Sequence, residues 1–428
     1  MPENLKNKTI LCYDNGLFFD FCLKLADYYK KVYYYVPWKD AFPGMMKMMI
    51  GTEWKNGGRL STFDGRPFES IDNYWDYVDE ADICFFPDVS DGDLQLHLQE
   101  QGKLVFGSRK GEELELERWD TKQYFKKIGM DVQPVKRVVG VDALKEHLKT
   151  VKDKWIKISK FRKHFETFHH INYDLSEPIL QKIEWEMGPM SKIAEFIVED
   201  HIEAIAEEGI DAYCIDGRFP NFAFAGNEVK EKSFAGMFFR YNDLSEGIRE
   251  VNDQMAPALK HYGYRGFISS EVRTTAENKH FAIDPCCRLA SPPSEIYQEL
   301  YSNLGQIIWE GAGGKLIDPI PKAKYGVEVM INSEWYLESH QAISFPEHLR
   351  PWIKLRYPIK IDGKYYCMNE GHCPGAGAII GIGNSFEECK SKVAEIAPQI
   401  EGQGIEINLE TIDEAIEEFY KSNPKLKK

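Results

Sequence analysis

Apolar positions in the first hundred residues alternate between strand-like runs and helix-like spacing. "KTILCY" reads as a buried strand and "DNG" as the turn after it. "LFFDFCLKLADYYKK" places Phe18, Cys22, Leu25 and Tyr29 on one helical stripe. "VYYYVP", "ADICFFPD" and "KLVFGS" are further strands, and "SDGDLQLHLQEQG" is a short helix closed by Gly102. This rhythm predicts an α/β unit: a mostly parallel sheet with helices on its faces. Such sheets bind ligands at the carboxyl ends of their strands, and here "YDNGLF" lacks the glycine spacing of a dinucleotide turn.

Beyond residue 109 the pattern changes. "GEELELERWDTKQYFKKIG" predicts one long amphipathic helix ending at Gly129. "WIKIS", "AEFIVEDHI" and "DAYCIDGRF" predict strands, the last turning at Asp216–Gly217. The stretch 160–193 has no clear period. "SEGIREVNDQMAPALKHYG" predicts a helix ending at Gly263, and "SEIYQELYSNLGQIIWEGA" a second one with Ser294 as its N-cap. "DPIPKAK" marks a boundary. The last hundred residues mix strands ("YGVEVMI", "YPIKID", "GAIIGIG") with helices near 385–397 and 411–421. No internal repeat is visible.

A chain of 428 residues is too long for one core. Its 43% hydrophobic and 28% charged residues are ordinary for a globular protein. A net charge of −15 argues against nucleic acid or an anionic membrane as partner. The N-terminus carries no apolar leader, no run is long enough for a membrane span, and the nine scattered cysteines lack zinc spacing. A cytoplasmic protein with reduced thiols, monomeric or homodimeric, is the expectation.

The candidate chemistry lies in "RGFISSEVRTTAENKHFAIDPCCRLASPP". Its two apolar-flanked runs pair as a hairpin about Glu277 and Asn278, which sets Glu271 opposite Asp284. Facing carboxylates repel. A divalent cation between them removes the repulsion, and magnesium, held by carboxylates and completed by nucleotide phosphates, suits the pair. The same face carries Arg273, Cys286 and Arg288; the alternative is two surface acids neutralised by the arginines.

In these motifs, taken in order, the chain resembles the ATP-grasp ligases, most closely the glycinamide ribonucleotide synthetase (phosphoribosylamine–glycine ligase) branch. "IDPCCRLASPPSE" is similar to that branch's "E-x-N-x-R-x-G-D-P-E", with Asp284 on the metal-binding Glu, Cys286 on the Asn and Arg288 on the Arg. The passage from "ADICFFPD" through "WDTKQYFKKIGM" and the segment "GAGAIIGIGNSFEECKSKVAEIAPQIEG" resemble its domain junction and C-terminal segment. The resemblance implies ATP and magnesium (or manganese) as cofactors. It implies Lys122 and Lys157 as phosphate-binding lysines, Glu199 with the Asp200–His201–Ile202 backbone as the adenine hinge, and Asp211 at the ribose. It further implies Glu271 and Asp284 as metal ligands, with Arg288 and Arg273 holding an acylphosphate. The implied architecture is an N-terminal domain over 1–110 and an ATP-grasp module over 111–315. Within the module a nucleotide lid spans about 151–226 and the metal hairpin 265–290. A C-terminal α/β domain follows over 316–428. The implied activity is an ATP-dependent carboxylate–amine ligase with small-molecule substrates; the alternative is a catalytically weakened nucleotide-binding homologue acting as a scaffold.

Some positions depart from the branch. The loop after the second lysine, "SKFRKHFETFHH", has no glycine; Lys160, Arg162, Lys163 and His164 could supply charge instead. Cys286 replaces an amide, and "YDNGLFF" stands where the branch has "GGREH". The amine is therefore expected to differ from phosphoribosylamine.

Overall fold

The computed structural model describes residues 4–37, 49–159, 167–337, 339–368 and 375–426. Four sheets organise them, and three of these position the site. The first is the expected parallel sheet, in the order Phe68–Ile71, Lys31–Tyr35, Thr9–Tyr13, Ile83–Phe85, Leu104–Phe106. Strand order reverses between Thr9–Tyr13 and Ile83–Phe85, the place where open α/β sheets form a ligand crevice at their carboxyl ends.

A small antiparallel sheet follows, in the order Thr167–His170, Lys154–Ile158, Glu195–Asp200, Val135–Val139. Helices Val141–Leu148 and Tyr173–Met187 cover one of its faces, closing a core that includes Leu144, Ile156, Leu180 and Phe196. The other face carries Lys157 and Glu199. This unit begins at residue 135, whereas the residues from 206 onward that were expected in the lid lie in the next sheet.

That sheet is the body of the molecule. It has eight antiparallel strands in the order His280–Cys286, Arg265–Thr274, Ala206–Ile215, Phe222–Val229, Ser233–Arg240, Tyr325–Asn332, Gly375–Gly383, Ile353–Leu355. Residues from the expected C-terminal domain thus complete the sheet that holds the hairpin. Alternation divides its faces. Ile210, Ala212 and Cys214 point to a core shared with helices Glu246–His261, Phe386–Ile396 and Glu410–Ser422, while Tyr213, Ile215, Phe224 and Phe267 point to a core shared with the first domain. The strands Phe222–Val229 and Ser233–Arg240 were missed from sequence because alanine and glycine blur their apolar alternation. Four glycines (Gly209, Gly226, Gly236, Gly326) stand side by side across four strands. A Cβ on Gly226 would lie 2.6 Å from the Cα of Gly236.

The first domain is locked to this body by buried ion pairs. Arg350 reaches Asp20 at 2.6 Å and Asp64 at 2.9 Å. Lys24 lies 2.8 Å from Glu299, which within the body also takes Lys354 at 2.8 Å, and Arg356 lies 2.8 Å from Glu295 on the same side.

Two expected helices are each broken. Residues 109–127 form a 3-10 turn, a short helix Glu113–Leu116 and a second helix Arg118–Lys127, because Glu117 leaves helical geometry at φ −94°, ψ 63°. The second, near 294–313, divides into Ser294–Leu300 and Leu304–Ala312 at Tyr301, whose backbone is extended. Pro293 occupies the N-cap there, and Ser294 is the first helical residue, so its hydroxyl meets the Glu295 carboxylate at 3.1 Å instead of capping.

Candidate active site

The acidic hairpin is built from Arg265–Thr274 and His280–Cys286. Ser270 pairs with Pro285 and Val272 with Ala282, so Ile283 and Asp284 together oppose the single residue Glu271. This is a bulge: the extra residue on one strand re-aims its side chains and frees the Ile283 carbonyl from the ladder. Lys122 donates to that carbonyl at 2.8 Å.

The break at Glu117 gives the preceding segment two reaches. Before it, Glu115 accepts from the backbone N–H of Cys287 at 2.7 Å and from Arg288 Nε at 3.3 Å. After it, Arg118 and Lys122 sit one turn apart on the same helix face. Arg118 lies 3.1 Å from Asp284, and Lys122 lies 3.1 Å from Glu199. Lys157, from the small sheet, closes the network at 2.8 Å from Glu199 and 2.7 Å from Asp284. Lys122, Lys157 and Glu199 are buried.

Three cations here share two carboxylates, so each acid is fully matched. Burial works against ionisation of Asp284, but Lys157, Arg118 and Lys122 hold its carboxyl well below the usual range. Burial likewise opposes the Lys157 ammonium, yet Asp284 and Glu199 keep it above its ordinary value. Lys122 is pushed down, chiefly by burial and also by Lys157, against the pull of Glu199.

Glu271 differs. It stays open to water on one side, but the surrounding protein, then Glu207, Glu228 and Asp284, push its carboxyl up to about 7. Asp211 stands on the adjacent strand, accepting a short hydrogen bond from the Ser269 hydroxyl. Burial first, then Glu271 and Glu228, raise it to about 8. The donor set fits a divalent cation: two hard carboxylates on one face, in mutual repulsion, beside lysines suited to phosphate. Cys286, on the same strand as Asp284, is a poor donor to magnesium.

In the segment expected to be the adenine hinge, Asp200 binds Lys154 at 2.6 Å. His201 accepts from the Trp155 indole N–H at 3.0 Å, and Ile202 is buried. Asp153, His169 and His201 offer ligand atoms within 4.8 Å of one another. His169 already lies 2.6 Å from Asp153 and stacks on Trp155 with ring centroids 4.7 Å apart, so the cluster satisfies itself.

The two arginines part company. Arg288 lies between Glu115 and Asp88, 3.5 Å from the latter, where hairpin and first domain meet. Arg273 is turned to Glu207 at 2.9 Å, at the hairpin's far end. Lys122, Lys157, Glu199, Asp284, Glu271 and Asp211 thus converge, and Arg273 lies at the margin. Lys160, Arg162, Lys163 and His164 lie outside the described residues.

Sequence reading missed Arg118, Glu115 and Glu228. Only Arg118 left a signal, its spacing of four from Lys122.

No family model matches the chain, and no curated protein matches it by sequence. Solved structures do. Phosphoribosylamine–glycine ligase from Thermotoga maritima superimposes at TM-score 0.67 with 16% identity, over 93% of this chain and 98% of that one. The biotin carboxylase domain of 2-oxoglutarate carboxylase from Hydrogenobacter thermophilus, solved with MgADP and bicarbonate, gives 0.65 with 13% identity over 97% and 95%. N5-carboxyaminoimidazole ribonucleotide synthetase from Thermus thermophilus gives 0.58 with 13% identity over 91% and 98%.

Proposed function

We propose, from the premise that this chain has the fold of the ATP-grasp ligases, that it is an ATP-dependent carboxylate–amine ligase working with magnesium or manganese. The observation that carries the reading is the buried network in which Lys122, Lys157 and Arg118 share the carboxylates of Glu199 and Asp284. Cations held ready on exchangeable protein anions can transfer to phosphate oxygens without moving through water.

In this reading Lys122 and Lys157 orient the β- and γ-phosphates. The hinge Glu199–Ile202 holds the adenine and Asp211 the ribose. Glu271 and Asp284 would hold the metal, which neutralises phosphate charge when bound. A substrate carboxylate attacks the γ-phosphorus; the bond to the β,γ-bridging oxygen breaks and ADP leaves. A free-base amine then attacks the acyl carbon, forming the amide and expelling inorganic phosphate, with one nitrogen proton passing to solvent. Arg288 steadies the acylphosphate; Arg273, turned to Glu207 at the far end of the hairpin, takes no part in holding it.

The test is ADP release from MgATP over a matrix of carboxylates and amines. The reading expects release that requires both partners. Nucleotide binding with no turnover for any pair would overturn it in favour of a nucleotide-binding scaffold, to which Cys286 beside Asp284 lends weight.

A further inference from the structure

The crevice between strands Thr9–Tyr13 and Ile83–Phe85 carries chemistry that the nucleotide reading leaves unused. Asp14 follows the first strand, and Asp88 and Asp91 follow the second. Asn15 donates to Asp88 at 2.9 Å, and Arg288 joins Asp88 to the hairpin. The crevice therefore adjoins the proposed phosphoryl-transfer centre. Asp14 is 2% exposed; its Oδ2 accepts from Gly16 N–H at 3.0 Å and from the Tyr34 hydroxyl at 2.7 Å, and its buried Oδ1 has no hydrogen-bond partner. Glu112 adds a fourth carboxylate, accepting from the backbone of Ser90 and Asp91. On the opposite face of the first strand, the ring of Tyr13 lies 5.3 Å from each of Tyr35, Tyr74 and Phe86.

A phosphate-bearing ligand would meet these acids with like charge. An ammonium or guanidinium group would meet an unpartnered carboxylate oxygen beside further carboxylates, which favours it. The acids are also held at raised affinity for protons, Asp14 at about 6 and Asp91 at about 7, in each case chiefly by burial.

We infer that this crevice binds the acceptor amine as an organic cation, a compound carrying a second ammonium or guanidinium group that seats between Asp14, Asp88 and Asp91. The crevice as acceptor site rests on the ligase reading; its preference for cations does not.

The experiment is calorimetric titration of the full chain with 1,4-diaminobutane, with 4-aminobutylguanidine and with ribose 5-phosphate, each without nucleotide, followed by the same additions in the ADP-release assay. At least one of the two cations should bind, and ribose 5-phosphate should not. Asp14→Asn and Asp88→Asn should each weaken the cation at least about tenfold, while MgATP binding, measured on the same variants, stays unchanged and certifies their fold. Asp91→Asn is the second route if either variant misfolds. Binding of ribose 5-phosphate with neither cation bound would overturn the inference, as would unchanged cation affinity in folded variants. Cation binding without ADP release for any carboxylate would sink the ligase reading and leave the cation site standing. ADP release with an anionic amine alone would do the reverse.

Discussion

The two sets of acids flanking Arg288 live under different electrostatic regimes. On the hairpin side, Glu199 and Asp284 are each matched by cations at 2.7–3.1 Å, and Asp284 is held ionised. On the first-domain side, Asp14 and Asp91 have been taken out of water with hydrogen bonds but no cation at such distances among the described contacts, and both are raised towards neutrality. Burying a charge is tolerable when it is paired. The hairpin meets that condition within the protein. The crevice does not, and a surplus of buried acid that folding alone would not select is the kind of signature functional sites carry.

Breaking the matched side should have the largest effect. Lys157→Met leaves Glu199 and Asp284 short of a partner. ADP release should fall at least about a thousandfold, and chemical denaturation should show a loss of about 3 kcal/mol. If the variant keeps both its activity and its stability, the matched network is irrelevant.

The crevice should respond in the opposite direction. Asp14→Asn should stabilise the protein, by about 2 kcal/mol. The sign follows from a folded value of about 6 against an ordinary 3.8. Between those values the folded state retains a proton that the unfolded chain has lost, so the parent loses stability as pH rises from about 4 to 6. Asp88 and Tyr34, the groups facing Asp14, remain in the variant. Thermal melts of the pair should coincide near pH 4 and separate above pH 6; a variant less stable at pH 7 would show that Asp14 is satisfied after all.

Arg118→Gln sharpens the first region. Asp284 keeps Lys157, so stability should drop by only about 1 kcal/mol while the KM for ATP rises about tenfold. The smallest effect belongs to Arg273→Gln: its partner Glu207 is half exposed, and surface pairs of this kind contribute less than about 0.5 kcal/mol. A large loss of turnover in that variant would restore Arg273 to the acylphosphate site.

The parallel first sheet and the acidic hairpin were legible because each rests on local pattern: continuous apolar runs, and a turn between alternating strands; Lys122 and Lys157 were singled out by the resemblance alone. What escaped depends on long-range pairing. No local signal marks Ile283 as bulged, since the bulge exists only against its partner strand. The strands Phe222–Val229 and Ser233–Arg240 are held by their neighbours more than by their own side chains. Glu117 carries no helix-breaking residue type; tertiary demands on Glu115 and Arg118 accompany the break. Asp14 and Asp88 lie 74 positions apart, and only the parallel pairing of their strands makes them neighbours.

Arg350, Lys354 and Arg356 contribute three cations from a single short stretch, and Asp20, Glu295 and Glu299 answer them from much earlier in the chain. A polypeptide severed near residue 315 would therefore yield one piece lined with orphaned acid and another with orphaned base, neither soluble in its native shape by itself. Co-expressed, the pieces would attract each other as plug and socket, and reassembly should weaken with added salt.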